Sequence, residues 1–215
     1  MPAKNAIKPY LADGYYHIYN RGVEKRTIFL DPQDYSVFLH IIKNCLSPPP
    51  KPELIHTNTS KRINLYGQVD MLCFVLMPNH FHFFVHQRGK QDIEHFMRSI
   101  VTRYVSYFNR KHQRQGHLFQ GRYKAILVES EPYFLHVTRY IHRNPASIIT
   151  GELQDYPYSS YPYYLGHKQT DWIQTGMLLS YFTHVDNIRF VPMNSYRDFV
   201  ENNDLETPKD LILDE

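Results

Sequence analysis

The sequence predicts an α+β protein: a ferredoxin-like (RRM-like) split βαβ antiparallel sheet with one helix added at its C-terminal end. Three observations predict it. Apolar residues recur with a period of two or of 3.6 in the order β, α, β, β, α, β, α, which is that arrangement plus one helix. Two apolar runs are parted only by Pro78 and Asn79, the signature of a hairpin in the middle of the fold. The 215 residues are 42% hydrophobic, 15% aromatic and 21% charged, which excludes disorder for most of the chain and allows a sizeable core.

Each element has its own reason. Tyr15 to Asn20 is an aromatic and β-branched run closed by Asn20, Arg21 and Gly22, hence a strand ending in a turn. Asp31 followed by Pro32 opens a helix, and Tyr35, Phe38, Leu39, Ile41 and Ile42 carry its apolar stripe to about Leu46. Ser47 to Ser60 holds four prolines and reads as a loop or small insertion. Val69 to Met77 and Phe81 to His86 are the hairpin strands. A long helix runs from Asp92 to about Lys111, with Ile93, Phe96, Met97, Ile100, Tyr104 and Phe108 on one side. After a turn over Gly116 to Gly121, Arg122 to Val128 is the fourth strand. Glu131 to Asn144 is the added helix, expected to stop at Asn144 because a following proline disfavours helical backbone before it. Trp172 to Phe182 and Ser195 to Val200 read as two short helices. The run Tyr156 to Tyr164 is either a packed strap or a base-stacking platform. The expected organisation is a core domain over 10–150, a helical and loop extension packed on it over 151–200, and an acidic, mobile tail over 201–215 with six acids against Lys209.

The longest apolar run, Met71 to Met77, is far short of the roughly 20 residues a membrane helix needs, and MPAKNAIKPY has no signal-peptide core. Cys45 and Cys73 are too few for a disulfide framework. A soluble, cytoplasmic protein without membrane partners is the expectation.

The net charge of +3 conceals an uneven distribution. No acid occurs between Glu94 and Glu129, an interval holding Arg98, Arg103, Arg110, Lys111, Arg114, Arg122 and Lys124 among Phe96, Tyr104, Tyr107, Phe108, Phe119 and Tyr123. Such a mixture suits phosphate neutralisation and base stacking. A solvated basic helix face would read the same way in an average protein, and the missing carboxylates favour a polyanion partner.

His80 and His82 share one face of a strand, with backbones about 6–7 Å apart, and can converge on one metal ion. The commoner meaning of such a triplet is a pair of satisfied surface histidines. His86 has the same parity but lies about 13 Å beyond His82, too far for the same site. On the added helix Tyr140 and Asn144 are four residues apart and about 40° apart in phase, bordering the stripe of Val137 and Ile141. A half-buried tyrosine capping a core would show the same pattern.

Five stretches then resemble a known family in order and spacing: Tyr16-His17-Ile18-Tyr19-Asn20-Arg21-Gly22, Met77-Pro78-Asn79-His80-Phe81-His82, Gly116-His117-Leu118-Phe119-Gln120-Gly121-Arg122-Tyr123-Lys124, Arg139-Tyr140-Ile141-His142-Arg143-Asn144-Pro145 and Asp155-Tyr156-Pro157-Tyr158-Ser159-Ser160-Tyr161. They resemble the HUH single-tyrosine transposases of the insertion sequence 200/605 group, most closely the REP-associated tyrosine transposases, from about Tyr15 to Leu165 and more loosely to Val200. Phe119 stands where the family often has Trp, and Ala146 to Ile149 departs from its usual basic, glycine-containing continuation.

The resemblance implies that 10–150 is a catalytic domain whose added helix carries the nucleophile. Tyr140 would attack single-stranded DNA to give a 5′-phosphotyrosine, while His80, His82 and Asn144 hold a divalent ion. Two histidines alone admit Zn²⁺; an amide and water beside a phosphate suit Mg²⁺ or Mn²⁺ better. Arg21, Arg103, Arg110, His117, Arg122, Tyr123 and Lys124 are the expected DNA contacts. The implied ligand is a hairpin of a repetitive extragenic palindrome, and the implied oligomeric state is a monomer in preference to a dimer. The alternative is a non-cutting hairpin-binding regulatory module on the same fold.

Overall fold

The computed structural model describes residues 10–49, 63–183 and 195–202. Four strands, β1 (Gly14–Arg21), β2 (Val69–Met77), β3 (His80–Gln87) and β4 (Lys124–Leu127), form one antiparallel sheet in the order β2-β3-β1-β4. Helices α1 (Pro32–Leu46) and α2 (Asp92–Lys111) follow β1 and β3, which completes the expected ferredoxin-like topology. A third helix, α3 (Glu131–Arg143), follows β4.

Strand alternation divides the core into two layers. Tyr16, Ile18, Phe74, Leu76, Phe81, Phe83 and Val85 bury one sheet face against α1 and α2. Cys73, Val75, Met77 and Phe84 bury the other against α3, where Val137 and Ile141 are fully enclosed. The second layer is what places α3 across the face that carries His80 and His82.

Local chemistry explains the boundaries. The Asp31 side chain accepts from the Asp34 amide at 3.1 Å, and Pro32 occupies the first turn of α1. Buried Asp34 is bonded to Lys111 at 2.8 Å and His112 at 2.9 Å, tying the start of α1 to the end of α2. At the end of β1, Gly22 is required by space: a Cβ there would stand 2.1 Å from the Arg26 carbonyl. The chain then passes through Glu24 and Lys25, both with positive φ (56° and 57°).

Several expected boundaries shift. Asn144 is itself helical (φ −50°, ψ −39°), and the chain continues as a 3-10 turn over Asn144–Ser147. Pro145 lacks only an amide proton that the first turn of such a helix leaves unused, so proline changes the helix type without ending it. The helix expected from Trp172 begins at Gly176 (α5, Gly176–Thr183). Trp172 and Ile173 are instead held beside β2, where Ile173 bridges Met71 and Trp172 stacks on Phe74 at 5.5 Å. Ser195 caps α6 (Tyr196–Glu201), the last helix among the described residues, by accepting from the Asp198 amide.

The tyrosine-rich run is a strap along the edge of β2. Ser159 bridges Val75, and the hydroxyls of Tyr156 and Tyr164 donate to the Leu76 and Leu72 carbonyls, each at 2.6 Å. A short helix, α4 (Tyr161–Tyr164), ends the strap. The expected loop beyond residue 49 and the acidic tail beyond residue 202 lie outside the described residues. Among the described residues no helix is long and apolar enough to cross a membrane.

Candidate functional site

The site forms where the β1 and β3 ends meet the C-terminal turn of α3. Arg21 pairs with His80 and Tyr19 with His82 in the β1–β3 register, so these four side chains share the α3 face. Tyr140 and Asn144, one helical turn apart, come down onto it as their phase predicts. Together they wall a cleft of about 780 Å³, to which Arg21, Lys25, Asn79 and His80 also contribute. None of the residues lining it is a carboxylate, and Arg21 and Lys25 supply positive charge.

The aromatic geometry is close. The Tyr140 ring stands perpendicular to His82, with centroids 5.2 Å apart. His80 and His82 are likewise perpendicular at 5.0 Å. His80 Nε2 is 3.1 Å from Asn144 Oδ1, and its Nδ1 is 2.6 Å from Asn79 Oδ1. Asn79 in turn donates from Nδ2 to the Lys25 carbonyl at 3.3 Å, so the hairpin turn braces both His80 and the left-handed segment at Lys25.

These distances test whether a divalent ion fits. Burial, opposed by the Asn144 contact, lowers the pKa of His80, so the ring carries one proton. In the tautomer protonated on Nδ1 that proton points at Asn79 Oδ1, 2.6 Å away. The Nε2 lone pair then faces the Asn144 oxygen, acceptor against acceptor, at a spacing close to the about 3 Å that separates neighbouring ligands around a small octahedral cation. His82 Nε2 is a fully buried nitrogen without a hydrogen-bond partner, and burial holds its pKa well below 6.5. Two neutral imidazoles and an amide oxygen therefore fit a divalent ion. No group of three His, Cys, Asp or Glu side chains poised to hold a metal occurs among the described residues.

The predicted DNA-contact residues divide into groups. Arg21 lines the cleft and its Nε donates to Gln120 at 2.6 Å. Lys124 pairs with Tyr19 in the β1–β4 register, its ammonium 5.7 Å over that ring. Arg122 and Tyr123 line a separate cleft of about 430 Å³ with Asn20 and Arg98. Arg110 and His117 are exposed and line neither cleft. Arg103 points toward α1, where its Nη1 is 3.6 Å from Cys45 Sγ. His86 is occupied elsewhere, 3.2 Å from Asp70.

Three neighbours of the site escape sequence reading: His17, Lys25 and Asn79. His17 has the parity of Tyr19 on β1, but its contact with His82 follows only once β1 is known to lie beside β3. It is fully buried, 2.9 Å from His82 Nδ1 through its Nε2, and stacked on that ring at 5.1 Å.

The back of α3 is held as firmly as its front. His142 bridges the Tyr196 hydroxyl (2.6 Å) and the Ser160 hydroxyl (2.7 Å). Arg139 Nε donates to the Phe199 carbonyl at 2.9 Å and Arg143 Nη1 to the Val200 carbonyl at 3.0 Å, so α6 is clamped onto the helix that presents Tyr140.

Residues 55–144 match the family model described as Transposase IS200 like. Among solved structures, a REP-associated tyrosine transposase bound to a REP hairpin shares the fold, with TM-score 0.54 and 15% identity over 80% of this chain and 95% of that one. A Deinococcus radiodurans protein assigned as a candidate transposase covers 65% of this chain and 97% of its own at 13% identity, with a TM-score of only 0.38. No curated protein matches.

Proposed function

We propose that this chain, a relative of the IS200-like transposases, cuts and rejoins single-stranded hairpin DNA through attack of Tyr140 on a phosphodiester. The observation that carries the reading is that Tyr140, His80 and Asn144 line one carboxylate-free, cationic cleft, with the buried His82 ring edge-on to Tyr140 behind it. A hydrolytic nuclease would need no tyrosine there, and a pure binding surface would need neither the paired imidazoles nor the facing amide.

Arg21 and Lys25 attract the anionic backbone and offset its repulsion of a nucleophile that must become phenolate-like. Tyrosine is weak at its ordinary pKa of about 10, so these cations carry part of its activation. The Tyr140 oxygen bonds to phosphorus as its phenolic proton passes to solvent, the bond from phosphorus to the 3′-oxygen breaks, and the departing oxygen takes a proton from solvent to leave as a 3′-hydroxyl. The 5′-phosphate stays esterified to Tyr140, and that ester conserves the bond energy for joining to another 3′-hydroxyl. His80, His82 and Asn144 would hold Mg²⁺ or Mn²⁺, which when bound draws charge from a nonbridging oxygen and stabilises the leaving oxygen. These three side chains are neutral, so an ion held there would keep its full charge to offset the DNA phosphate. The fold relative solved with a REP hairpin motivates the same ligand class here.

The test is incubation with labelled single-stranded hairpins from the repeats flanking the protein's own gene, with Mg²⁺ or Mn²⁺, followed by denaturing electrophoresis. A covalent protein–DNA band that vanishes with Tyr140→Phe and with chelator is expected. Tight binding with neither cleavage nor adduct would overturn the reading in favour of a non-cutting hairpin-binding module.

A further inference from the structure

We infer that His17 is a positioning residue that fixes the ring orientation of His82 and accepts its Nδ1 proton when a divalent ion is held at Nε2. The inference rests on the metal-assisted reading above. His17 comes from β1, is fully enclosed and shares one side-chain hydrogen bond with His82, between its Nε2 and His82 Nδ1, 2.9 Å apart. The rings are nearly parallel, 19° apart, so His17 fixes both the position of His82 Nδ1 and the plane of its ring.

Only one proton can lie between two neutral imidazoles, and its owner decides what His82 can do. If His17 Nε2 donates, His82 is protonated at Nε2 and cannot ligate. If His82 Nδ1 donates, His82 Nε2 is a lone pair and the remaining proton of His17 sits on Nδ1. Both end atoms, His82 Nε2 and His17 Nδ1, are buried without a protein partner. Either tautomer therefore leaves one buried N–H unsatisfied, and the two states are closely matched by symmetry of cost. An ion taken up at His82 Nε2 breaks that balance toward the second state. His17 is thus an acceptor held in reserve behind the ligand, the part that outer partners of metal-bound histidines commonly play.

The test uses Mn²⁺ alone, titrated into the full chain carrying Tyr140→Phe and followed by the electron paramagnetic resonance of free Mn²⁺. His17→Phe fills the space without an acceptor, and His17→Gln restores one. His17→Phe is expected to weaken Mn²⁺ about 10- to 100-fold, and His17→Gln to recover most of that loss. Mn²⁺ affinity equal to the parent's in His17→Phe would overturn the inference while leaving the proposed reaction intact. A parent chain that binds no Mn²⁺ at all would overturn both. Should His17→Phe not fold, ¹⁵N spectra of the unaltered protein with Mg²⁺ decide: the His82 proton on Nδ1 supports the assignment, and on Nε2 sinks it.

Discussion

The His82 ring stands edge-on to the Tyr140 ring, at 5.2 Å and 89°, although one comes from the central strand β3 and the other from the helix that follows the sheet. Both belong to the same chain, and α3 is fixed over its own sheet by a continuous apolar layer and by the clamp to α6. The proposed nucleophile and the residues proposed to hold the ion thus meet within one chain. Mixing a Tyr140→Phe chain with a His82→Ala chain should restore no cleavage of labelled hairpin DNA. Restored cleavage would mean that α3 is exchanged between chains.

The cations that sequence pattern groups together should separate in experiment. Arg21 lines the cleft, so Arg21→Ala should weaken hairpin binding across DNA sequences and reduce the slope of log affinity against log salt by about 1. Arg103 reaches Cys45 on α1 instead, so Arg103→Ala should leave that slope unchanged. Binding isotherms at several salt concentrations measure both; equal slopes for the two variants would refute the assignment.

His142 should make stability depend on pH. Burial pushes its pKa down to about 3 from an ordinary 6.5, so between these values the unfolded chain binds the proton that the folded one excludes. Stability thus falls as pH drops from about 6.5 toward 3, by roughly 1.4 kcal/mol per unit for such a group, and the effect is complete below the folded value. Fully buried His17, also lowered to about 3 by burial, adds to the same slope. Urea denaturation from pH 7 to pH 4.5 should show this decline, and His142→Gln, which keeps two hydrogen-bonding ends, should flatten part of it.

What could be read from the chain was whatever depends on a single period. The parity of His80 and His82, the helical phase of Tyr140 and Asn144, and the two-residue turn at Pro78 and Asn79 each follow from local geometry, and the structure assembles them. Properties set by another element stay hidden. His17 matters because β1 and β3 are neighbours, Lys25 reaches the cleft through two left-handed residues that no residue type announces, and Arg103 leaves the basic group because α1 packs beside it. The tyrosine-rich strap was ambiguous for the same reason, since only the exposed edge of β2 tells those hydroxyls where to bond.

Asn144 offers the sharpest separation between a structural and a ligand role. Its backbone, not its side chain, closes α3, the amide donating to the Ile141 carbonyl, and the side-chain oxygen spends its contact on His80. Alanine can adopt the same helical backbone, so Asn144→Ala should fold with unchanged thermal stability while losing about 10-fold or more in Mn²⁺ affinity and in cleavage rate. Aspartate keeps an oxygen in place and adds the negative charge that the site lacks. Asn144→Asp should therefore bind Mn²⁺ more tightly than the parent chain, yet it should cut more slowly than the parent, because the new carboxylate repels the incoming phosphate. If alanine left both affinity and rate unaltered, the amide would be a mere neighbour of His80 and the ion would have to be held by the two imidazoles alone.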